Sequence, residues 1–598
     1  MIASPLDVSQ WVVALTLAGA LALFASGRVR HDVVAILTLL IVVLAGIVPV
    51  EDAFVGFSNS AVITVAAVLI ISRTLQTTGV VAIIARRTRP LTSTFFGHLG
   101  SLSGGVLVAS SFMNNIGALG LMMPVAIETA RERSRSAGLF LMPMAFCSLL
   151  GGMVTLIGTP PNIIIASFRR EATGEPFRMF DFTPVGLAVA VGGLIFIVLA
   201  ARYLLPAGRV GNAPDLATFD VGSYFTELRV EAGSEYIGRP LRDLPGTADQ
   251  SVQIVGLERE GRAYSYARYL TLREGDNVIV QTDPASLAEL TQPDRLTLLK
   301  GNEPHRIAEH NWQDIRHVEA VVPPGSVLEG RRMRFVGRRL GRTGYVLGVS
   351  RAGARLGPRL RNITFQAGDV LLIQGEADEL TERLNDLGLL PLAERDISVG
   401  VERRIALAIG IFAIAIGCAA MGWAPAAVSF VAAVVAYVLT GLLPVRDLYR
   451  GIDWPIIVLL GAMFPLGQAL ETTGLTQMVA GGIVGISAGW PEWSILLLVL
   501  VVTMWLTDVI NNAATAIVMA PIGTGIARVL EVSIDPFLIA VAIGASAAFL
   551  TPIGHQSNML VMGPGGYRFS DYWRLGLPLE AVVAFIALPM ILWIWPLS

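Results

Sequence analysis

Four short stretches concentrate the polar side chains and backbone breaks of an otherwise apolar chain. "NNIGALGLMMP" from Asn114 and "NNAATAIVMAP" from Asn511 each open on two asparagines, whose amides offer oxygen to a cation and N–H to an anion. "TLIGTPPN", residues 155 to 162, and "TPIGHQSN", residues 551 to 558, align without a gap and share Thr, Ile, Gly and Asn. Both lie within long apolar runs. Pro160 and Pro161 lack amide donors and disrupt a helix, while Gly158 and Gly554 permit unusual backbone angles and the close approach of an ion. Free carbonyls at such a break bind a cation, and amides at the start of the next half-helix bind an anion.

The surrounding elements are those of a membrane protein. The chain has 598 residues, is 54% hydrophobic and 15% charged, and has a mean hydropathy of +0.64, far from the balance of soluble multidomain proteins. Apolar runs of about 20 residues, enough to cross a bilayer, recur between residues 11 and 205 and between 404 and 597. The runs over 139–168 and 537–565 are too long for one straight helix and contain the two breaks. No basic residue precedes the first run, which points to a first membrane helix rather than a cleaved signal peptide. Cys147 and Cys418 both lie in apolar runs and offer neither a disulfide framework nor a metal cluster.

The two halves are copies. "PVEDAFVG" from Pro49 matches "PVRDLYRG" from Pro444, "LQTTG" from Leu75 matches "LETTG" from Leu470, and "FDFTPVGL" from Phe180 answers "SDYWRLGL" from Ser570. With the asparagine and break motifs, all pairs keep one order at offsets of 390 to 397. Arg28, Arg30, the 86–89 and 131–135 arginine groups, Arg403, Arg404, Arg446 and Arg450 are expected on the cytoplasmic side. With 86–89 and 131–135 on one side, the stretch between them enters and returns as a re-entrant hairpin. The first copy then begins outside and the second inside, so the copies are inverted. Arg169 and Arg170 fall outside, against the usual bias. Inverted repeats with interrupted helices are a feature of secondary transporters, because irregular backbone at membrane depth is tolerated only where it is buried or lines a cavity.

Between residues 207 and 397 lie 24 basic and 27 acidic residues, 51 of the chain's 90 charges, so this segment reads as a soluble insert of small α/β units. It repeats internally. "GSEYIGRPLRDL" from Gly233 pairs with "GSVLEGRRMRFV" from Gly325, "VGLEREG" from Val255 with "LGVSRAG" from Leu347, and "REGDNVIVQ" from Arg273 with "QAGDVLLIQ" from Gln366. Gly275 with Asp276 and Gly368 with Asp369 read as tight turns before an edge strand. His305, His310 and His317, spaced five and seven apart, share no helix face and read as a connector. No nucleophile–base pairing, phosphate loop or metal motif argues for an enzyme.

At these motifs both membrane halves resemble the divalent anion/sodium symporter family of the ion transporter superfamily. That family carries Ser-Asn-Thr at the tips of two re-entrant hairpins, each followed by a helix broken at a "TPIGTPPN"-like loop. The resemblance implies an α-helical polytopic membrane protein with inverted repeats, re-entrant hairpins, broken helices and inserted cytoplasmic α/β tandem domains. Repeat 1 would cover 1–206 and inverted repeat 2 would cover 398–598. The insert units, 207–300 and 301–397, resemble tandem RCK_C (TrkA-C) domains, which dimerise or sense a small ligand. The resemblance further implies sodium ligands at Asn115, Gly158 and Asn162 and at Asn512 and Gly554. Anion contacts would come from Asn114, Asn115, Gly117, Thr159, Asn511, Asn512, Ala513, Thr515, His555 and Asn558. Implied partners are a small inorganic or organic anion, the lipid bilayer of a bacterial inner membrane and a second copy in a homodimer, but no nucleic acid.

The sequence departs from that family in several places. Asn114 and Asn511 replace Ser, and Ile116 and Ala513 replace Thr, which removes hydroxyls that would read a dicarboxylate. Thr159 has His555 as its mate; a histidine there donates to an oxyanion, carries a coupling proton, or caps free carbonyls. Asp508 attracts a cation or stands at the outer entrance. Arg73 and Gln76, with Glu471 opposite Gln76, are expected to be structural at a helix end. The reading is sodium-coupled symport of a small divalent anion by an elevator movement, with sulfate ahead of a C4-dicarboxylate. The alternatives are proton-coupled exchange or export through His555, and an ion channel gated by the insert.

Overall fold

In lipid every backbone polar group must be bonded within its own segment, and the apolar runs become helices accordingly. The computed structural model describes residues 7–78, 93–205 and 401–597, apart from 27, 134 and 488. Between 206 and 400 it describes 225–245, 252–259, 262–264, 270–282, 289–292, 295–298, 315–340, 344–351, 354–356, 363–376, 383–384 and 386–392. The chain divides into two compact units, Met1–Gly211 with Glu394–Ser598, and Asn212–Ala393.

The first half carries α1 (Val8–Ser26), α2 (His31–Leu44) and α3 (Ser60–Thr78), a hairpin of α4 (Phe95–Ser110) and α5 (Asn115–Glu132), a broken pair α6 (Gly138–Gly152) and α7 (Pro160–Thr173), and α8 (Thr183–Leu204). The insert contributes α9 (Met333–Leu340). The second half carries α10 (Val401–Ala420), α11 (Ala426–Leu439), α12 (Trp454–Thr472) and α13 (Leu475–Ile486), then a hairpin of α14 (Glu492–Thr507) and α15 (Asn512–Val529). A broken pair α16 (Asp535–Ser546) and α17 (Gln556–Gly565) and the closing α18 (Tyr572–Ile594) complete it. Among the described residues, Val8–Ser26, Val50–Thr78, Thr183–Leu204, Trp454–Thr472 and Phe569–Ile594 are long and apolar enough to cross a membrane. Leu44, Leu199, Ile414 and Phe585 stay exposed on this surface, and Tyr203, Trp454 and Trp593 are exposed at helix ends. That is the pattern of a lipid-facing surface with interfacial aromatics.

Contacts between the halves are reciprocal. α2 lies against α12 and α3 against α11; α7 lies against α15 and α16, and α17 against α5 and α6. The first hairpin closes at its base, where Arg135 donates to Ser93 O at 2.9 Å and Thr94 O at 3.2 Å. A single glycine brings each closing helix onto its break: a Cβ on Gly186 would collide with Met153 O, and one on Gly576 with Phe549 O.

The breaks differ from the sequence expectation in two respects. Pro160 and Pro161 do not interrupt a helix but start one, at the first positions of α7, where a helix has no carbonyl partner for an amide. Gly158 and Gly554 are not in the left-handed region. Their glycine requirement is close approach, since a Cβ would stand 2.5 Å from Gly152 O in one and 2.9 Å from Thr507 O in the other.

The described residues of the insert form two five-stranded antiparallel sheets. β1 (Phe225–Arg229), β2 (Val252–Arg259), β3 (Arg262–Tyr264), β4 (Asn277–Thr282) and β5 (Thr297–Leu298) run in the order β3-β2-β4-β1-β5. β6 (Ile315–Val321), β7 (Gly344–Arg351), β8 (Ala354–Arg355), β9 (Val370–Glu376) and β10 (Leu390–Pro391) run β10-β6-β9-β7-β8, the same order read from the other edge. Even the bulges match, at Ile254/Gly256 and Val346/Gly348. Gly275 (φ +87°) and Gly368 (φ +86°) do turn the chain, but ahead of β4 and β9, which are central strands and not edges. Asp276 pairs there with Arg259 at 2.7 Å and Asp369 with Arg351 at 2.7 Å. The Asp369 hydrogen bond pushes the Arg351 pKa up. His305 and His310 lie outside the described residues, whereas His317, expected in a connector, lies on β6 opposite Gln374 of β9.

Candidate functional site

The two hairpin tips are built alike. Asn114 caps α5 by accepting from Ile116 N at 3.1 Å, and Asn511 caps α15 by accepting from Ala514 N at 2.8 Å. Asn caps a helix as well as Ser, so replacing the family's Ser leaves each tip intact. Asn115 and Asn512 follow, 2% and 6% exposed. Ser110 Oγ lies 2.7 Å from the Asn115 amide and donates to Ser148 O at 2.7 Å; Thr507 Oγ1 lies 3.1 Å from Asn512 Oδ1 and donates to Ala545 O at 2.8 Å. Ser110 and Thr507 were missed in the sequence, although in both copies a hydroxyl stands five residues before the buried asparagine.

The breaks continue the correspondence. Asn162 Nδ2 donates to Gly152 O at 3.3 Å and Thr155 O at 2.8 Å, and Asn558 Nδ2 to Ala548 O at 2.8 Å and Thr551 O at 3.1 Å. Thr155 Oγ1 donates to Ser111 O and Thr551 Oγ1 to Asp508 O, tying each break to its hairpin tip. Among the described residues, Asn162 Oδ1 and Asn558 Oδ1, both fully buried, have no hydrogen-bond partner. The same buried amide oxygen thus recurs at the same place in both copies, an acceptor of the chemical kind that ligates a hard cation.

Asn115 joins the copies. With Nδ2 turned inward it donates to Ser110 Oγ (2.7 Å), Ser148 O (3.2 Å) and Gly158 O (3.2 Å). The opposite amide orientation puts its Oδ1 among those same three oxygens, a donor set for a hard cation. The outward-facing atom of the Asn115 amide lies 3.5 Å from His555 Nε2. His555 Nδ1 accepts from Ser557 N at 3.0 Å, so the histidine caps an amide at the start of α17; of the three roles open from the sequence, capping of free carbonyls is not the one this nitrogen plays. Its proton is then on Nε2, aimed at Asn115.

Other expected contacts fall differently. Thr515 Oγ1 donates to Asn511 O at 3.2 Å, so its donor is used inside α15, and Ala513 is buried beside it. Thr159 Oγ1 is buried without a partner among the described residues. Gly117 faces Gln76, whose amide a Cβ would strike, and Ser72 Oγ accepts from Asn114 N at 3.4 Å. Gln76 is therefore at the first hairpin tip and not merely at a helix end. Asp508 is 3% exposed, which is not the setting of an entrance residue. Among the described residues, no three His, Cys, Asp or Glu side chains gather as a metal cluster.

Two more contacts cross between the halves. Arg169 at the end of α7 pairs with Asp535 at the start of α16, Nε to Oδ1 at 2.8 Å and Nη2 to Oδ2 at 3.0 Å. Tyr567, just after α17, donates to Gly138 O and accepts from Met142 N at 2.9 Å at the start of α6.

Lipid-facing helices around paired hairpins and broken helices with buried polar tips are the architecture of a polytopic membrane transporter. The chain belongs to the citrate transporter family (CitMHS), whose profile matches residues 21–535 and 492–597. It is 30% identical to an uncharacterized transporter of Synechocystis sp., covering 98% of this chain and 97% of that one. It is 24% identical to sodium/sulfate cotransporter 2 of Chlamydomonas reinhardtii, over 64% of this chain and 44% of the other. The crystal structure of the Alcanivorax borkumensis YdaH transporter aligns over 99% of both chains at a TM-score of 0.41 and 14% identity.

Proposed function

We propose that the protein is a sodium-coupled symporter of a small divalent anion, sulfate ahead of a C4-dicarboxylate, working by an elevator-type movement. The observation that carries this reading is the duplicated network in which a buried tip asparagine, a hydroxyl five residues before it and a break asparagine with an orphan oxygen recur in both halves. Each copy holds enough side-chain and carbonyl oxygen for one sodium ion: Asn115, Ser110, Gly158 and Asn162 in the first, and Asn512, Thr507, Gly554 and Asn558 in the second. The anion lies between the tips, against Asn114, Asn511 and the Nε2 side of His555. Ile116 and Ala513 offer it no hydroxyl, which suits a compact tetrahedral anion better than an extended dicarboxylate. The sulfate named for the Chlamydomonas relative agrees with that choice.

The reciprocal helix contacts support two copies related by an axis in the membrane plane, with residues 1–206 and 398–598 as inverted repeats around a cytoplasmic insert of two RCK_C-like domains, 207–300 and 301–397. His555 is not used as the coupling group, because its Nδ1 is occupied by the Ser557 amide. Uptake of labelled sulfate, succinate and citrate into proteoliposomes, with and without a sodium gradient, tests the proposal. Sulfate accumulation driven by sodium is expected. Transport of none of the three, or transport driven only by protons, would reject it.

A further inference from the structure

We propose that the second insert unit docks on anionic phospholipid headgroups through one arginine-rich face. The proposal is independent of the sodium and sulfate readings. Residues 330 to 368 contain ten arginines and neither aspartate nor glutamate, whereas the rest of the insert between 207 and 397 holds 14 basic and 27 acidic residues. The matching stretch of the first unit, 238 to 275, carries six basic and five acidic residues. Solvated surfaces intersperse the two signs, as that first unit does. A block of one sign on a folded unit suits a partner of the other sign.

The fold turns part of this block outward. Met333, Val336 and Leu340 of α9 are buried in the apolar core of the second unit, where the helix packs on β7, so its apolar stripe is used inward. Arg331, Arg332 and Arg339 are exposed. Between them stands Phe335, half-buried. The guanidinium groups of Arg331 and Arg339 lie over its ring, 5.3 and 5.5 Å from the centroid, within the range of a cation–π contact. Stacking holds the two groups in place and leaves their in-plane N–H donors for phosphate oxygens, which a guanidinium meets two at a time. The acids at either end of the run are engaged: Glu329 accepts from Gly325 N at 2.9 Å, and Asp369 pairs with Arg351 at 2.7 Å. In the first unit Leu241–Asp243 forms a single 3-10 turn at this place, and Asp243 stands at the position of Phe335.

The bilayer is the polyanion nearest to hand. The insert is joined at both ends to membrane helices, with nine residues between β10 and α10, which gives this face a high effective concentration of headgroups. Basic residues clustered on an amphipathic helix beside a membrane are attracted to its anionic lipids, each arginine adding to the binding.

Deuterium exchange of the full-length protein in lipid nanodiscs, read by mass spectrometry over residues 331–340, tests this. In discs containing phosphatidylglycerol, exchange there should be about tenfold slower than in discs of phosphatidylcholine alone, while residues 239–245 of the first unit exchange alike in both. Sodium chloride at about 1 M, which shortens the screening length to about 3 Å, should abolish the difference. The triple variant Arg331→Gln, Arg332→Gln, Arg339→Gln should abolish it too, with exchange over β9 reporting that the unit stays folded. If that variant does not fold, the lipid and salt comparisons in wild type decide the matter. Equal exchange in the two lipids overturns the proposal, as does slowing that persists in the folded triple variant. Slowing in phosphatidylcholine discs on addition of pyrophosphate or a short RNA, equal to that given by phosphatidylglycerol, also overturns it, because the face then takes a soluble polyanion.

Discussion

Asn115 and Asn512 are the residues on which the proposed chemistry turns, because each is buried, amide-bearing and aligned with a hydroxyl and a break. Asn115→Ala and Asn512→Ala should each abolish sodium-driven sulfate uptake while membrane abundance holds; normal uptake in both would remove them from the site. His555 separates two contributions. His555→Ala loses the helix cap at a cost of about 1 kcal/mol along with the reach to Asn115. His555→Asn keeps a cap but loses that reach, so it should fold like wild type and transport less, as thermal unfolding and uptake together will show. The asymmetry between "TPP" and "HQS" now has a physical account: one copy omits the first amides of the half-helix, and the other retains and caps one of them. The sequence displayed both choices, but not that they solve the same problem.

At the scale of elements, the apolar runs read from sequence correspond closely to helices, and both overlong runs divide where the breaks were placed. α13 was not seen, because "AGGIVGISAG" is short and rich in glycine. The reciprocal helix contacts were not legible either, since an alignment of copies says which residues are equivalent and not which are adjacent. Arg169 shows the difference. As a free charge it contradicts the expected topology; as half of a bidentate pair with Asp535, with side chains only 19% and 15% exposed, it carries little net charge for the rule to act on. Asp535→Ala should cost about 2 to 3 kcal/mol, less than for a fully buried pair. A double-mutant cycle with Arg169→Ala should show most of that loss as coupling, measured by unfolding in detergent.

For the whole molecule, the proposed inversion makes a prediction that either half alone does not. Arg169 with Asp535 and Tyr567 with Gly138 clasp opposite copies, and the proposed inversion would put these clasps on opposite faces of the membrane. In a cysteine-free background, Glu531→Cys should react with a membrane-impermeant maleimide from outside, and Arg133→Cys only after the membrane is opened. Labelling of both from one face would end the inverted reading. The proline start of α7 also bears on how motion in this protein can be followed. Pro160 and Pro161 have no amide hydrogen to exchange with deuterium, whereas Gln556 and Ser557 do. Isotope exchange at the half-helix starts therefore reports openings of the second break and passes over those of the first, giving two similarly built halves separate spectroscopic visibility.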